Sequence, residues 1–195
     1  MQLGVVLGVF GLIFLAELPD KSMIATLILG SRSRPVLVWI GATAAFGIHV
    51  AVAVLAGRLL ALLPHVWVEV VTGLLFAGGA AYLLLVPEAH EETEGEEEAA
   101  TAPAGLRPVG TAFLVILVGE FGDLTQILTA NLAARYHQPL SVFVGAFAAL
   151  ATVAAIGAFG GRALLHVLPL AVIRKAGGVL LAGLAVYTLV TVVRG

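Results

Sequence analysis

Residues 13–29 read Ile-Phe-Leu-Ala-Glu-Leu-Pro-Asp-Lys-Ser-Met-Ile-Ala-Thr-Leu-Ile-Leu, and residues 116–132 read Ile-Leu-Val-Gly-Glu-Phe-Gly-Asp-Leu-Thr-Gln-Ile-Leu-Thr-Ala-Asn-Leu. Each stretch sets a Glu and an Asp three residues apart inside an apolar run: Glu17 with Asp20, and Glu120 with Asp123. An ionisable side chain at bilayer depth is costly and marks a functional site by default. The rest of the acid sharpens this reading. Of 12 acidic residues, seven lie between Glu88 and Glu98, and Glu69 is the only other one outside the two pairs.

Composition sets the solvent. The chain has 195 residues, 61% hydrophobic and 11% charged, with a mean hydropathy of +1.09. Soluble domains carry about 25% charged residues, and a globule of this size cannot hide so much apolar surface from water. Uncharged runs cover 35–57, 70–87, 138–161 and 176–193, each near or above the roughly 18–20 residues that span a bilayer as a helix. The expected fold class is an all-α polytopic membrane protein. A net charge of −2 offers no basic footprint and excludes nucleic-acid binding as the main role. The absence of Cys excludes thiolate metal sites, disulfides and thiol redox chemistry. Residues 3–16 resemble the apolar part of a signal peptide, but Met1 and Gln2 give no positive start and no Ala-x-Ala site follows. They are therefore read as part of the mature fold.

Hydropathy predicts six transmembrane helices at about 3–30, 35–58, 67–86, 108–135, 139–162 and 172–193. The first and fourth, at roughly 40 Å, exceed the ~30 Å hydrocarbon core and carry their carboxylates near mid-length. The chain also repeats. Glu17, Asp20, Ser22 and Thr26 match Glu120, Asp123, Thr125 and Thr129 at an offset of 103; Pro35, Gly41, Gly57 and Arg58 match Pro139, Gly145, Gly161 and Arg162 at 104; Gly73 and Tyr82 match Gly178 and Tyr187 at 105. The expected organisation is a first three-helix repeat (1–86), an acidic, disordered cytoplasmic linker (87–107) and a second three-helix repeat (108–195). Three helices per half reverse the orientation of the second, giving two inverted repeats with an ion site at the midplane. With the N-terminus outside, Arg32, Arg34, Arg107, Arg162, Arg174 and Lys175 lie inside against Arg58, Arg135 and Arg194 outside. The expectation is an inner (plasma) membrane of a prokaryote with both termini outside.

Glu and Asp at i and i+3 share a helical face, and Ser22 and Thr125 fall on a similar side. Two such faces brought together give four carboxylates with hydroxyls beside them. This hard-oxygen set suits Mn²⁺, Ca²⁺ or Mg²⁺. Pro19 and Gly122 sit as disruptors between each Glu and Asp, where a broken helix frees carbonyls as further ligands. Lys21 adds one positive charge. Four carboxylates in a low dielectric need a divalent cation or protons to neutralise them, which gives exchange by competition between metal and protons. No permanently bound cofactor is expected; the partners are a divalent metal ion, protons and the lipid bilayer, with a homodimer left open.

The paired motifs resemble those of the GDT family of membrane Ca/Mn cation–proton exchangers, whose signature Glu-x-Gly-Asp-[Lys/Arg]-[Ser/Thr] occurs once in each of two three-helix repeats. The second copy, Glu120-Phe-Gly-Asp123-Leu-Thr125-Gln126 followed by Asn131-Leu-Ala-Ala-Arg-Tyr136, is especially similar. The resemblance covers essentially the whole chain. It implies export of Mn²⁺ or Ca²⁺ from the cytoplasm in exchange for protons, and adds Gln126 as an amide-oxygen ligand, with Met23 as its repeat partner. The metal set is then Glu17, Asp20, Glu120 and Asp123, with Ser22, Thr125 and Gln126 as secondary ligands. Two positions depart from the signature: Pro19 replaces the first Gly, and Leu124 replaces the second basic residue.

Two other classes compete. A passive cation channel would pass the metal without countermoving protons. An intramembrane carboxylate enzyme is poorly served: Glu120 stands where an aspartyl protease motif needs Gly, and Ser31-Arg32-Ser33-Arg34 is the one candidate phosphate cradle. The expectation is a transporter and not an enzyme. His49, mid-helix, is read as an interior histidine or a proton relay; its repeat partner is Val153.

Overall fold

In a computed structural model, residues 1–18, 20–103, 105–167 and 170–194 are described, and they are helical almost throughout. The elements are α1 (Leu3–Glu17), α2 (Lys21–Arg32), α3 (Pro35–Leu60), α4 (His65–Leu85), α5 (Glu88–Ala100), α6 (Pro108–Gly119), α7 (Leu124–Tyr136), α8 (Pro139–Val167) and α9 (Leu170–Arg194). Proline opens α3, α6 and α8, where its missing N–H costs nothing and its φ is already helical. Arg32, Arg58 and Arg135 stand in the last turns of α2, α3 and α7, where a cation offsets the helix dipole.

Among the described residues, four helices are long and apolar enough to cross a membrane: Pro35–Leu60, Val66–Leu85, Pro139–Gly160 and Lys175–Val193. Two further spans arise if α1 with α2, and α6 with α7, each count as one bent span. Their side chains face outward as lipid-facing surfaces do: Leu59 is 70% exposed, and Leu55, Leu74, Leu140, Val179 and Val186 are all exposed.

The helices expected over 3–30 and 108–135, with disruptors at Pro19 and Gly122, are each interrupted near mid-length. Each is broken into two halves meeting at 73°. Leu18 (φ −106°, ψ 117°) and Asp20 (φ −110°, ψ 166°) are extended in the first break. In the second, Gly122 has φ +82° and Asp123 is extended with ψ 160°. A positive φ of this size favours glycine because it carries no Cβ. The disruption expected at Pro19 falls on a residue outside those described.

Packing pairs the halves reciprocally. α1 lies along α8 and α6 along α3; α2 also contacts α8, and α7 contacts α3. At the crossings, Gly145 of α8 meets the backbone at Val6 and Phe10 of α1, while Gly41 of α3 meets the backbone at Val109 and Phe113 of α6. These contacts relate by the same offsets as the sequence repeat. Small residues at such crossings let backbones approach closely, the usual device for packing helices in lipid. The core between them is Val9, Ile13, Val38, Ala42, Ala45, Ile116, Val142, Ala146 and Ala149. α4 and α9 pack mainly on each other.

The acidic segment differs from the expected disordered linker. Glu is a good helix former, and residues 88–100 form α5, docked on α2. Gly95, Glu98 and Ala99 are buried and Glu94 is half-buried, a spacing that repeats on one helical face. A Cβ on Gly95 would stand 2.7 Å from the Ile24 Cβ.

A four-carboxylate candidate metal site at two helix breaks

The breaks bring the motifs together. Glu17 ends α1, and Asp20 caps the start of α2. Glu120 caps the end of α6, and Asp123 caps the start of α7. The same turn closes each break: the Asp20 N–H donates to the Glu17 carbonyl at 3.0 Å, and the Asp123 N–H to the Glu120 carbonyl at 3.3 Å. The i, i+3 pairs are thus joined by a turn and not by one helical face. Glu17, Asp20, Glu120 and Asp123 each offer a carboxylate oxygen, and these lie within 4.8 Å of one another. Six to eight oxygens at 2.3–2.6 Å hold Ca²⁺, and the four carboxylates supply a hard core for such a shell.

Burial is uneven. Glu17 is 1% and Glu120 4% exposed, while Asp20 and Asp123 are half-buried. Glu17 is oriented from both halves, since Ser22 Oγ donates to its Oε1 at 3.1 Å and Thr125 Oγ1 to its Oε2 at 2.7 Å. Lys21 Nζ donates to the Gly119 carbonyl at 3.2 Å and stands 3.9 Å from Glu120 Oε1. That Glu120 oxygen is buried with no hydrogen-bond partner among the described residues, so it keeps lone pairs for a cation. One lysine against four carboxylates leaves negative charge that burial makes costly unless a cation or protons offset it.

Among the described residues, two cavities reach the cluster. One of about 20 Å³ is lined by Glu17, His49, Glu120, Asp123, Thr125 and Gln126. That suffices for one water-sized occupant, which needs about 10–15 Å³. The other, of about 290 Å³, is bordered by Asp20, Lys21, Tyr82, Glu94, Asp123 and Thr125. Asp123 and Thr125 line both.

The expected secondary ligands differ in what they touch. Ser22 and Thr125 touch Glu17. Gln126 turns its Oε1 to the Gly122 N–H at 2.8 Å and its Nε2 to His49. The hydroxyls of Thr26 and Thr129 bond to carbonyls of their own helices, at Met23 and Thr125. Sequence reasoning missed Glu94 and Glu98. Glu98 is 9% exposed, its carboxylate packed on Gly119 with neither oxygen hydrogen-bonded among the described residues. Burial pushes its carboxyl up to about 7; Lys21 pulls against this, and the charges of Asp123 and Glu94 add to it. The sequence signal was the helical spacing of Gly95 and Ala99 beside Glu94 and Glu98, masked by the run of acid.

Four carboxylates and one lysine gathered between broken apolar helices form an arrangement suited to holding a cation at membrane depth. The chain belongs to the family described as divalent cation/proton antiporter GDT1, whose model matches residues 5–91 and 108–195 and passes over most of the acidic segment. That family consists of transporters and not enzymes. Among similar proteins, "Putative manganese exporter" of Vibrio cholerae serotype O1 is 34% identical over 180 residues, covering 88% of this chain and 84% of its own length. "Protein PAM71, chloroplastic" of Arabidopsis thaliana is 27% identical over 94% of this chain and 56% of its own length. "GDT1-like protein 1, chloroplastic" of Oryza sativa subsp. indica is 27% identical over 94% and 61%. The chain therefore spans a little over half the length of the plant relatives. No solved structure matches it.

Proposed function

We propose that this protein is a secondary active transporter that exports Mn²⁺ and/or Ca²⁺ from the cytoplasm in exchange for protons. The observation that carries this reading is the meeting of Glu17, Asp20, Glu120 and Asp123 within 4.8 Å at two matched helix breaks. The cation binds to these four carboxylates, with Ser22, Thr125 and Gln126 around them. Cation and protons compete for the same oxygens, so loading one releases the other. The two bent pairs each count as one span, giving six spans as two inverted three-helix repeats; the reciprocal contacts of Gly145 with α1 and Gly41 with α6 support that symmetry. Two separate cavities that share Asp123 and Thr125 in their lining suit a site reached by more than one path. Both termini then lie outside an inner membrane, and α5 lies on the cytoplasmic side. Family membership supports the cation–proton coupling, and the name of the Vibrio relative favours Mn²⁺.

The test is Mn²⁺ and Ca²⁺ uptake into everted vesicles under an imposed pH gradient, with a pH-sensitive dye in parallel. Wild type takes up metal as protons leave, and Glu120→Gln loses at least ten-fold in rate. Metal flux without proton flux would make the protein a channel. Wild-type rates in Glu120→Gln would remove the site.

A further inference from the structure

The two breaks are related by sequence but held by different chemistry, and the difference is coordinated. In the second half, Gly122 carries an N–H at the middle of a bent span and is exposed from the protein. In hydrocarbon an unmade hydrogen bond is costly, so such an N–H needs an internal acceptor. Gln126 Oε1 supplies it at 2.8 Å. The amide orientation follows: with Oε1 on a donor, Nε2 faces acceptors, and it donates to His49 Nδ1 at 3.2 Å and to the His49 carbonyl at 3.4 Å. Nδ1 must then be unprotonated, which leaves the proton on Nε2, 3.3 Å from the Ile116 carbonyl that accepts it. Phe121 packs beside the ring, 6.2 Å between centroids. The chain of bonds therefore runs from the Ile116 carbonyl through His49 and Gln126 to the Gly122 peptide, which directly joins Glu120-Phe121 to Asp123.

At the first break, Pro19, Met23 and Leu18 match Gly122, Gln126 and Phe121, and Val153 of the second half stands in the place of His49. Proline has no N–H to satisfy. Met23, Val153 and Leu18 are buried together as one apolar cluster. Where the N–H is absent, the acceptor and its holder are absent too. A ligand role for Gln126 alone does not explain why His49 changes with it.

We propose that His49 and Gln126 are positioning residues that fix the Gly122 peptide and thereby aim Glu120 and Asp123, while the first break is held by apolar packing. This rests on the site proposed above and assigns Gln126 to supporting the carboxylates instead of binding the metal through its amide oxygen.

The experiment uses the full-length protein, purified and in vesicles, with His49→Val, His49→Asn, Gln126→Met and the His49→Val/Gln126→Met double variant. Asn keeps an acceptor near the place of Nδ1, and Val does not. Loss of one such bond is worth up to about tenfold in an equilibrium constant. His49→Val and Gln126→Met should each raise KM for Mn²⁺ by about tenfold with a smaller change in kcat, the double variant should be no worse than Gln126→Met, and His49→Asn should stay within about threefold of wild type. Normal transport in His49→Val, additive losses in the double variant, or His49→Asn as impaired as His49→Val would each overturn the proposal. Should the variants not fold, ¹⁵N NMR of wild type with ring-labelled histidine decides: a neutral His49 protonated on Nε2 supports the proposal, and protonation on Nδ1 overturns it. This readout needs no transport, so absence of Mn²⁺ flux in wild type would defeat the proposed function separately.

Discussion

Replacing Thr125 with Val keeps the shape of the side chain and removes one hydroxyl. That hydroxyl donates to Glu17 Oε2 at 2.7 Å and joins the start of α7 to the end of α1. The distance is at the short end for a bond to a charged acceptor. Glu17 is 1% exposed, so water cannot easily replace the lost donor, and Ser22 at 3.1 Å remains as the longer bond. A hydrogen bond to a charged group contributes roughly 1.5–3 kcal/mol, or about tenfold to a hundredfold in an equilibrium constant. The ionised Glu17 that a cation needs loses its shorter donor, so the loss falls on metal affinity. Thr125→Val should therefore raise KM for Mn²⁺ at least tenfold in everted vesicles, and weaken Mn²⁺ binding to purified protein by the same factor. Thr125→Ser, which keeps the donor, should stay within a few-fold of wild type. If Thr125→Val binds and moves Mn²⁺ with wild-type affinity, Glu17 does not depend on this bond and the cross-half coupling of the motifs is wrong.

Two further outcomes follow from the packing and from Glu98. An Ala Cβ at Gly41 or Gly145 would collide with the backbone of the facing helix, whereas at Gly183 it meets open space. Gly41→Ala and Gly145→Ala should each destabilise by about 1–3 kcal/mol and lower the thermal midpoint in detergent; an equal loss in Gly183→Ala would undo the explanation. Docking of α5 should depend on pH, because Glu98 sits at about 7 when buried against 4.5 when free, facing Lys21 of α2, Glu94 of its own helix and Asp123 beyond. A raised value means that the docked form holds the proton more tightly. Its stabilisation is complete below about 4.5 and lost as pH rises through 7, on the order of 3 kcal/mol in all. Hydrogen exchange of the α5 amides should accelerate beyond the intrinsic pH trend across that window, and Glu98→Gln should remove the excess; an identical profile in both would refute it.

Much of the candidate site was legible because its chemistry is rare in its surroundings. Carboxylates in apolar segments cannot be accidental, and the ordered match of Glu, Asp, hydroxyl, Pro and Arg between halves exposed the repeat without any coordinates. The place of the breaks was legible in the disruptors Pro19 and Gly122, but the geometry of the turns was not. Glu17, Pro19 and Asp20, like Glu120, Gly122 and Asp123, make only a brief dip in a long apolar run, and such a dip does not give the angle at which the backbone turns. A spacing of three, meanwhile, fits either one helical face or a four-residue turn. Only the backbone hydrogen bonds from Asp20 to Glu17 and from Asp123 to Glu120 decide between them. The acidic segment failed differently. Its docked face is made of Gly95, Ala99 and the stems of Glu94 and Glu98, which carry too little apolar area to stand out among seven glutamates.

The break geometry also explains why the motif tolerates Pro19 in one half and Gly122 in the other. A continuous helix would need its 17–20 and 120–123 peptides to donate along the axis, and proline there would cost about 3 kcal/mol or more. Once the chain turns between Glu and Asp, the backbone bond that closes the turn in both halves is Asp N–H to Glu carbonyl, and the residue just before Asp takes no part in it. Its N–H is then either absent, as in proline, or must be met from outside the helix, as Gln126 does for Gly122. Sequence symmetry is thus kept at the proposed ligands and relaxed where the peptide merely has to be satisfied. For that reason the four carboxylates match in strict register while His49 and Gln126 have apolar counterparts.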